Sequence, residues 1–178
     1  MTILVDSREQ RPFPLVGESG KALPVEVVTL KTGDYSLEGF ADRVAVERKS
    51  MDDLVQCLGR SRARFERELI RAKELEAFAV VIEGSFADLT RGRYRSRMNP
   101  HAAVQSMTAL MVKHGTPFLF AGTRERAEYM TLSVLRQFLK QEKSRAGKGM
   151  DDAETVPLSQ DDGAKLMDEN GVKITACP

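Results

Sequence analysis

Five short apolar runs rich in Val, Ile, Leu and Phe constrain this chain more than any other feature. They occupy residues 2–5, 25–30, 43–46, 78–82 and 117–120. Runs of four to six such residues bounded by turn formers read as buried strands, being too short for helices that bury a face. Longer helical patterns lie between and after the later runs, over residues 51–76, with Leu54, Leu58, Phe65 and Leu69 on one face, and over 100–113 and 124–142. Strands first, then strand-helix alternation, predict an α/β domain with a central mixed sheet flanked by helices.

A chain of 178 residues suits one domain and a modest extension. Its 42% hydrophobic and 30% charged content excludes disordered and fibrous classes. No stretch approaches the apolar length of a membrane span. The N-terminus runs straight into Ile3-Leu4-Val5-Asp6 without the basic and apolar regions of a secretory signal, so a cytoplasmic protein that touches no membrane is expected. Cys57 and Cys177 form neither a disulfide framework nor a metal-ligand pattern, which fits a reducing compartment. The net charge of +1 conceals an asymmetry. The last 28 residues carry seven acidic side chains against Lys165 and Lys173, a balance of −5, which leaves +6 on the rest. Residues 1–143 are therefore read as the folded domain and 144–178 as a flexible acidic tail. A basic body of this kind suits a polyanionic partner.

The chemistry concentrates in Gly33-Asp34, a gap of twelve residues, then Glu47-Arg48-Lys49. Gly33 and Gly39 punctuate residues 30–46 as a hairpin-like excursion, which sets Asp34 and Glu47 on neighbouring strands. Alternate residues of a strand share a face, so Glu47 and Lys49 project to one side and Arg48 to the other. Phosphodiester hydrolysis needs a hard cation held by oxygen ligands, and two carboxylates supply them. Without a cation they would raise each other's pKa, so the cluster argues for a metal or a paired base. Lys49 could orient or deprotonate the attacking water, or stabilise the transition state's charge. An isolated Glu-x-Lys would more often be a surface ion pair worth at most about 1 kcal/mol.

The triplet is not isolated. Val5-Asp6-x-Arg8-Glu9, Gly33-Asp34-Tyr35 and Val46-Glu47-Arg48-Lys49-Ser50-x-x-Asp53-Leu54 resemble, in order and spacing, the motifs of the XPF family of structure-specific DNA endonucleases. The resemblance spans residues 2–140, weakening after Gly84, and is nearest to compact bacterial and phage members, as Tyr94-Arg95-Ser96-Arg97-Met98-Asn99-Pro100 also suggests. It implies a restriction-endonuclease-like three-layer α/β/α core that cuts branched DNA (flap, fork or junction) with Mg²⁺ or Mn²⁺ in repair or recombination. Asp34 and Glu47 are the implied metal ligands and Lys49 the implied catalytic lysine, with Asp6, Arg8, Arg48 and Asp53 completing the surround. Asp6 and Arg8 also fit a local ion pair at a strand end, and Ser50 with Asp53 also fits a capping box.

Two basic stretches could grip DNA. Arg60, Arg62, Arg64, Arg67 and Arg71 lie in one helical pattern, of which Arg62 or Arg64 matches the family's basic position; the Gln expected shortly after is replaced by Glu68. A solvated face laced with Glu66 and Glu68 fits that helix equally well. Arg91, Arg93, Arg95 and Arg97 surround Tyr94 in a Gly-containing loop, combining charge with a ring on which an unpaired base can stack. His101 and His114 have no partner at ligand spacing and read as surface or packing residues. Larger relatives add a tandem helix-hairpin-helix module for which this chain has no room. A minimal nuclease domain that relies on a second copy or a partner protein is therefore expected. The competing readings are a non-catalytic DNA-binding subunit and a junction resolvase of another lineage.

Overall fold

Strands β1 (Ile3–Asp6), β2 (Val25–Val28), β3 (Tyr35–Leu37), β4 (Val44–Ser50), β5 (Ala77–Glu83) and β6 (Phe118–Phe120) form one sheet in the order β2-β1-β3-β4-β5-β6. The computed structural model describes residues 1–151 apart from Glu18, with side chains as far as residue 146. β3 runs antiparallel to both β1 and β4, while β1 with β2, β4 with β5 and β5 with β6 are parallel. The sheet is therefore mixed. Parallel neighbours need crossover connections: helices provide those from β4 to β5 and from β5 to β6, and the long loop over residues 7–24 joins β1 to β2.

Pleat alternation divides the core in two. Val81 packs with Val44, Val46, Tyr35 and the apolar face of α5 (Arg124–Asp151), which contributes Ala127, Leu132, Leu135 and Phe138. On the other face, Val80 and Ile82 pack with α1 (Met51–Leu58), α2 (Arg62–Ala72), α3 (Phe86–Thr90) and α4 (Pro100–His114), through Leu54, Phe65, Leu69, Leu89, Met107 and Leu110. The result is the three-layer α/β/α arrangement. Asn99 caps α4, Pro100 opens it, and Gly115 at φ +67° ends it in the left-handed conformation.

Several expectations need correction. The pattern over 51–76 is two helices, interrupted at Gly59, Arg60 and Ser61; the apolar positions 54, 58, 65 and 69 keep helical spacing across the break and so hide it. β2 is not buried, because it is the outermost strand, and Val25 and Val27 are exposed. The excursion over 30–46 contains a strand of its own, β3, three residues long and buried on both faces. The short α3, with its Ser85–Asp88 capping box, carries too few residues to register as a period. The last helix continues past residue 142 to Asp151, and residues 152–178, most of the expected acidic tail, lie outside the described residues. Among the described residues no helix is long and apolar enough to cross a membrane.

Candidate active site

Backbone pairing brings the two acidic motifs together. The Asp34 N–H donates to the Val46 carbonyl at 2.9 Å, and the Asp6 N–H donates to the Asp34 carbonyl at 2.8 Å, which pins Asp34 between β1 and β4. Gly33 makes that approach possible. Its φ is +82°, and a β-carbon there would lie 2.8 Å from the Ala45 β-carbon and 3.2 Å from the Val46 carbonyl oxygen. The Asp34 side chain is aimed by the strand it faces, Oδ2 accepting the Arg48 backbone N–H at 2.8 Å.

Glu47 and Lys49 leave β4 on the α2 side. Both are buried and paired, the Lys49 ammonium donating to Glu47 Oε1 and lying 4.9 Å from the centre of the Phe65 ring. A cleft of about 270 Å³ opens above them, lined by Asp6, Arg8, Asp34, Glu47 and Lys49 from the sheet and by Arg64, Arg67, Glu68 and Arg71 from α2. Burial, and then the neighbouring Glu47, push the Asp34 carboxyl up to about 8, against the opposing pull of the Arg48 N–H and Lys49. Burial and Glu47 likewise raise Glu68 to about 7. Burial would lower Lys49, but Glu47, Cys57 and Glu68 together outweigh it, so the ammonium titrates above its ordinary range.

The cleft thus crowds carboxyl oxygens around one ammonium beneath a rim of arginines, and repulsion of this kind is relieved by a divalent cation. Among the described residues no group of three His, Cys, Asp or Glu side chains could hold an ion by itself. Asp34 and Glu47 fit the other common arrangement for Mg²⁺, in which one or two carboxylates are completed by water and substrate phosphate oxygens.

The remaining motif residues take different places. Asp6 lines the cleft, but its carboxylate is spent: it accepts the Arg8 N–H at 2.8 Å, Arg8 Nε at 2.7 Å and Nη2 at 2.9 Å, and the Leu30 N–H at 2.7 Å. Burial opposes ionisation of Asp6, and these donors outweigh it, holding the pKa below the usual carboxylate value. The local ion pair is therefore realised. The Arg48 side chain lies on the opposite face of β4, forked onto Glu9 at 2.8 and 3.1 Å and bonded to Glu83 at 3.0 Å. Arg124 donates to Glu83 at 2.6 Å, and its guanidinium sits 4.9 Å from the centre of the Phe13 ring, which stacks on Tyr35. Arg48 reaches the site through its backbone alone. Asp53 is not brought to the cleft; it lies in the first turn of α1, where the capping Ser50 hydroxyl accepts the Asp53 N–H at 3.2 Å and donates to the Asp53 carboxylate at 2.6 Å.

Of the basic candidates, Arg64 lines the cleft, whereas Arg62 turns to Ser106 and Glu66. Tyr94 does not present its ring as a platform: its hydroxyl donates to the Met98 carbonyl at 2.9 Å and the ring packs on the helical core, stapling the loop. Arg93 pairs with Asp88 at 3.2 Å and Arg95 with Asp52 at 3.5 Å, while Arg91 and Arg97 are exposed. Neither Arg91 nor Arg97 has a salt-bridge partner among the described residues. Lys31 and Thr32 also line the cleft without having been singled out in the sequence, and Arg67, Glu68 and Arg71, read there only as part of a basic or solvated helical face, come to it as well. Their spacing from Arg64, at three, four and seven residues, marks one helical face and was the available signal.

Comparison with known proteins places this arrangement. The family model described as the ERCC4 domain matches residues 5–132. A protein of Methanocaldococcus jannaschii named as an ATP-dependent RNA helicase is 26% identical over 132 residues, which are 74% of this chain and 15% of that protein. XPF from Aeropyrum pernix superposes with a TM-score of 0.61 at 23% identity, over 83% of this chain and 69% of the other. XPF from the same organism in complex with DNA gives 0.60 at 25%, over 79% and 66%. The chain thus spans a small part of the helicase and about two thirds of the XPF chains. The mixed sheet between helical layers is the restriction-endonuclease-like α/β fold.

Proposed function

Because the chain belongs to the ERCC4 domain family, we propose that it is a metal-dependent DNA endonuclease hydrolysing phosphodiester bonds in branched DNA (flap, fork or junction), in repair or recombination. The observation that carries this reading is the convergence of Asp34, Glu47 and Lys49 in one cleft with an arginine rim. The solved relative in complex with DNA supports the polyanionic substrate.

Asp34 and Glu47 would hold Mg²⁺ or Mn²⁺ at the cleft floor. Bound there, the cation supplies Lewis acidity toward a phosphate oxygen and acidifies water. Lys49 stays an ammonium beside Glu47, so of the two roles open to it, donation to the phosphate as charge develops fits better than proton abstraction. Arg64, Arg67 and Arg71 line the rim without a salt-bridge partner among the described residues and grip backbone phosphates. Arg8, two-thirds exposed while tied to Asp6, extends that rim from the sheet side. Tight binding would draw on a second copy of the chain or on a partner protein.

The test is incubation of end-labelled duplex, single-strand, flap, fork and four-way-junction DNA with protein in Mg²⁺, Mn²⁺ or chelator. Cleavage near the branch with either metal, and none with chelator, is expected. Binding with no cleavage in either metal would instead favour a DNA-binding subunit.

A further inference from the structure

A second basic depression lies on the other side of the turn between α1 and α2. Its volume is about 710 Å³, and it runs between α1 and the loop carrying residues 95–98, with Val55 and Met98 as its apolar lining, the Gln56 amide beside them and Arg60, Arg95 and Arg97 around them. Gln56 is exposed on α1 while its neighbour Val55 is buried in the core beneath the groove, and Arg60 follows from the interruption at Gly59. The one carboxylate in the lining, Asp52, is engaged by the loop, accepting the Arg95 backbone N–H at 2.8 Å with Arg95 Nε at 3.5 Å. Arg60 and Arg97 have no salt-bridge partner among the described residues, and both are exposed. The loop itself is held from beneath by the Tyr94 hydroxyl on Met98 and by the Ser96 hydroxyl, which accepts the Met98 N–H at 3.2 Å.

We propose that this groove binds an unpaired DNA strand, with Arg60 and Arg97 on its phosphates and a base seated against the half-buried Met98 within reach of Gln56. The combination of surfaces selects a single strand. A duplex offers phosphates outward but keeps its base faces stacked inside, so an apolar floor between guanidiniums is matched only by a strand whose bases are free. A purely anionic small ligand would leave Met98 unused. The volume falls within the roughly 300–1,000 Å³ of sites that hold compact organic molecules, which admits a nucleoside unit. Position agrees. α1 starts immediately after β4, which carries Lys49, and eight helical residues rise only about 12 Å, so a strand leaving the acidic cleft is close enough to enter the groove. The proposal deepens the DNA reading given above but not its chemistry, since binding in the groove requires neither Mg²⁺ nor Lys49.

The experiment uses the full chain in chelator, so that binding is measured apart from cleavage. Fluorescence anisotropy with a short oligothymidine and with a blunt duplex, at several salt concentrations, compares the wild type with the double variant Arg60→Gln, Arg97→Gln. The oligothymidine should bind the variant about tenfold more weakly, with a salt slope shallower by about 1.4, two single-strand phosphate contacts at roughly 0.7 each. Duplex affinity should be unaltered, and the thermal midpoint should not move because both side chains are exposed. Photocrosslinking of an oligothymidine containing 5-iododeoxyuridine should map to the peptide that carries Met98. Unchanged oligothymidine affinity and slope, an equal loss for duplex, or crosslinks confined to other peptides would overturn the groove assignment. A protein that cuts branched DNA yet fails these tests remains a nuclease without this groove. One that passes them without cutting retains the groove and loses the nuclease reading.

Discussion

Asp34 sits in opposed electrostatics. Its carboxyl is pushed up to about 8 by burial and by Glu47, far above the ordinary 3.8, although the Arg48 N–H aims at it. A pKa raised in the folded state means that folding favours the protonated acid. That contribution is complete below about pH 4 and is lost progressively as pH rises toward 8. Metal-free wild type should therefore lose thermal stability across this range. Asp34→Asn should melt higher than wild type in chelator, with an advantage that grows from pH 4 to 8 and levels off above, and added Mg²⁺ should raise the melting point of the wild type more than that of the variant. Differential scanning calorimetry over pH checks this. Parallel pH profiles for the two proteins would show that Asp34 is not held against its neighbours. Asp6 behaves oppositely: its donors hold the pKa down, so its contribution is present at neutral pH and disappears on acidification.

At the scale of elements, the site depends on how closely β3 and β4 approach. Gly33 sits where any side chain meets the Ala45 β-carbon and the Val46 carbonyl, in a backbone conformation that costs an L-residue about 1–2 kcal/mol before the clash is counted. Gly33→Ala should lower the unfolding free energy by at least that amount, and it should also weaken Mn²⁺ binding, because Asp34 is the next residue and leads into the displaced strand. Chemical denaturation and Mn²⁺ titration by electron paramagnetic resonance read the two effects. Stability loss with undisturbed Mn²⁺ binding would separate the glycine from the site. Much at this scale was legible beforehand. The apolar runs located β1, β4, β5 and β6, and the period of two correctly placed Glu47 and Lys49 on one face with Arg48 on the other. Local rules failed where tertiary context decides. β3 is too short to show alternation, β2 looks buried by composition yet lies at the edge, and the Gly59 interruption is masked by apolar residues that keep phase across it.

At the largest scale, the unit over residues 1–143 carries an acidic, ammonium-bearing cleft lined by arginines of α2 and a separate arginine-lined groove beside α1. The motif residues disclosed the centre of this arrangement because their chemistry is encoded by identity and spacing. The surround was less legible, since the partner of each arginine is set by elements distant in sequence. Arg48 meets Glu9 and Glu83, Arg62 meets Ser106, and Arg95 meets Asp52. Tyr94 turned inward through a local contact instead, its hydroxyl finding the Met98 carbonyl four residues on in a loop with no periodicity to mark it. The central claim is that Asp34, Glu47 and Lys49 act together on a DNA phosphate. The most direct measurement is the single-turnover cleavage rate of a labelled flap DNA in Mg²⁺, at protein concentrations that saturate binding, for wild type, Asp34→Asn and Lys49→Ala. Each variant should lose about two to three orders of magnitude in rate while binding the flap as tightly as wild type. Cleavage by either variant at the wild-type rate would contradict the assignment.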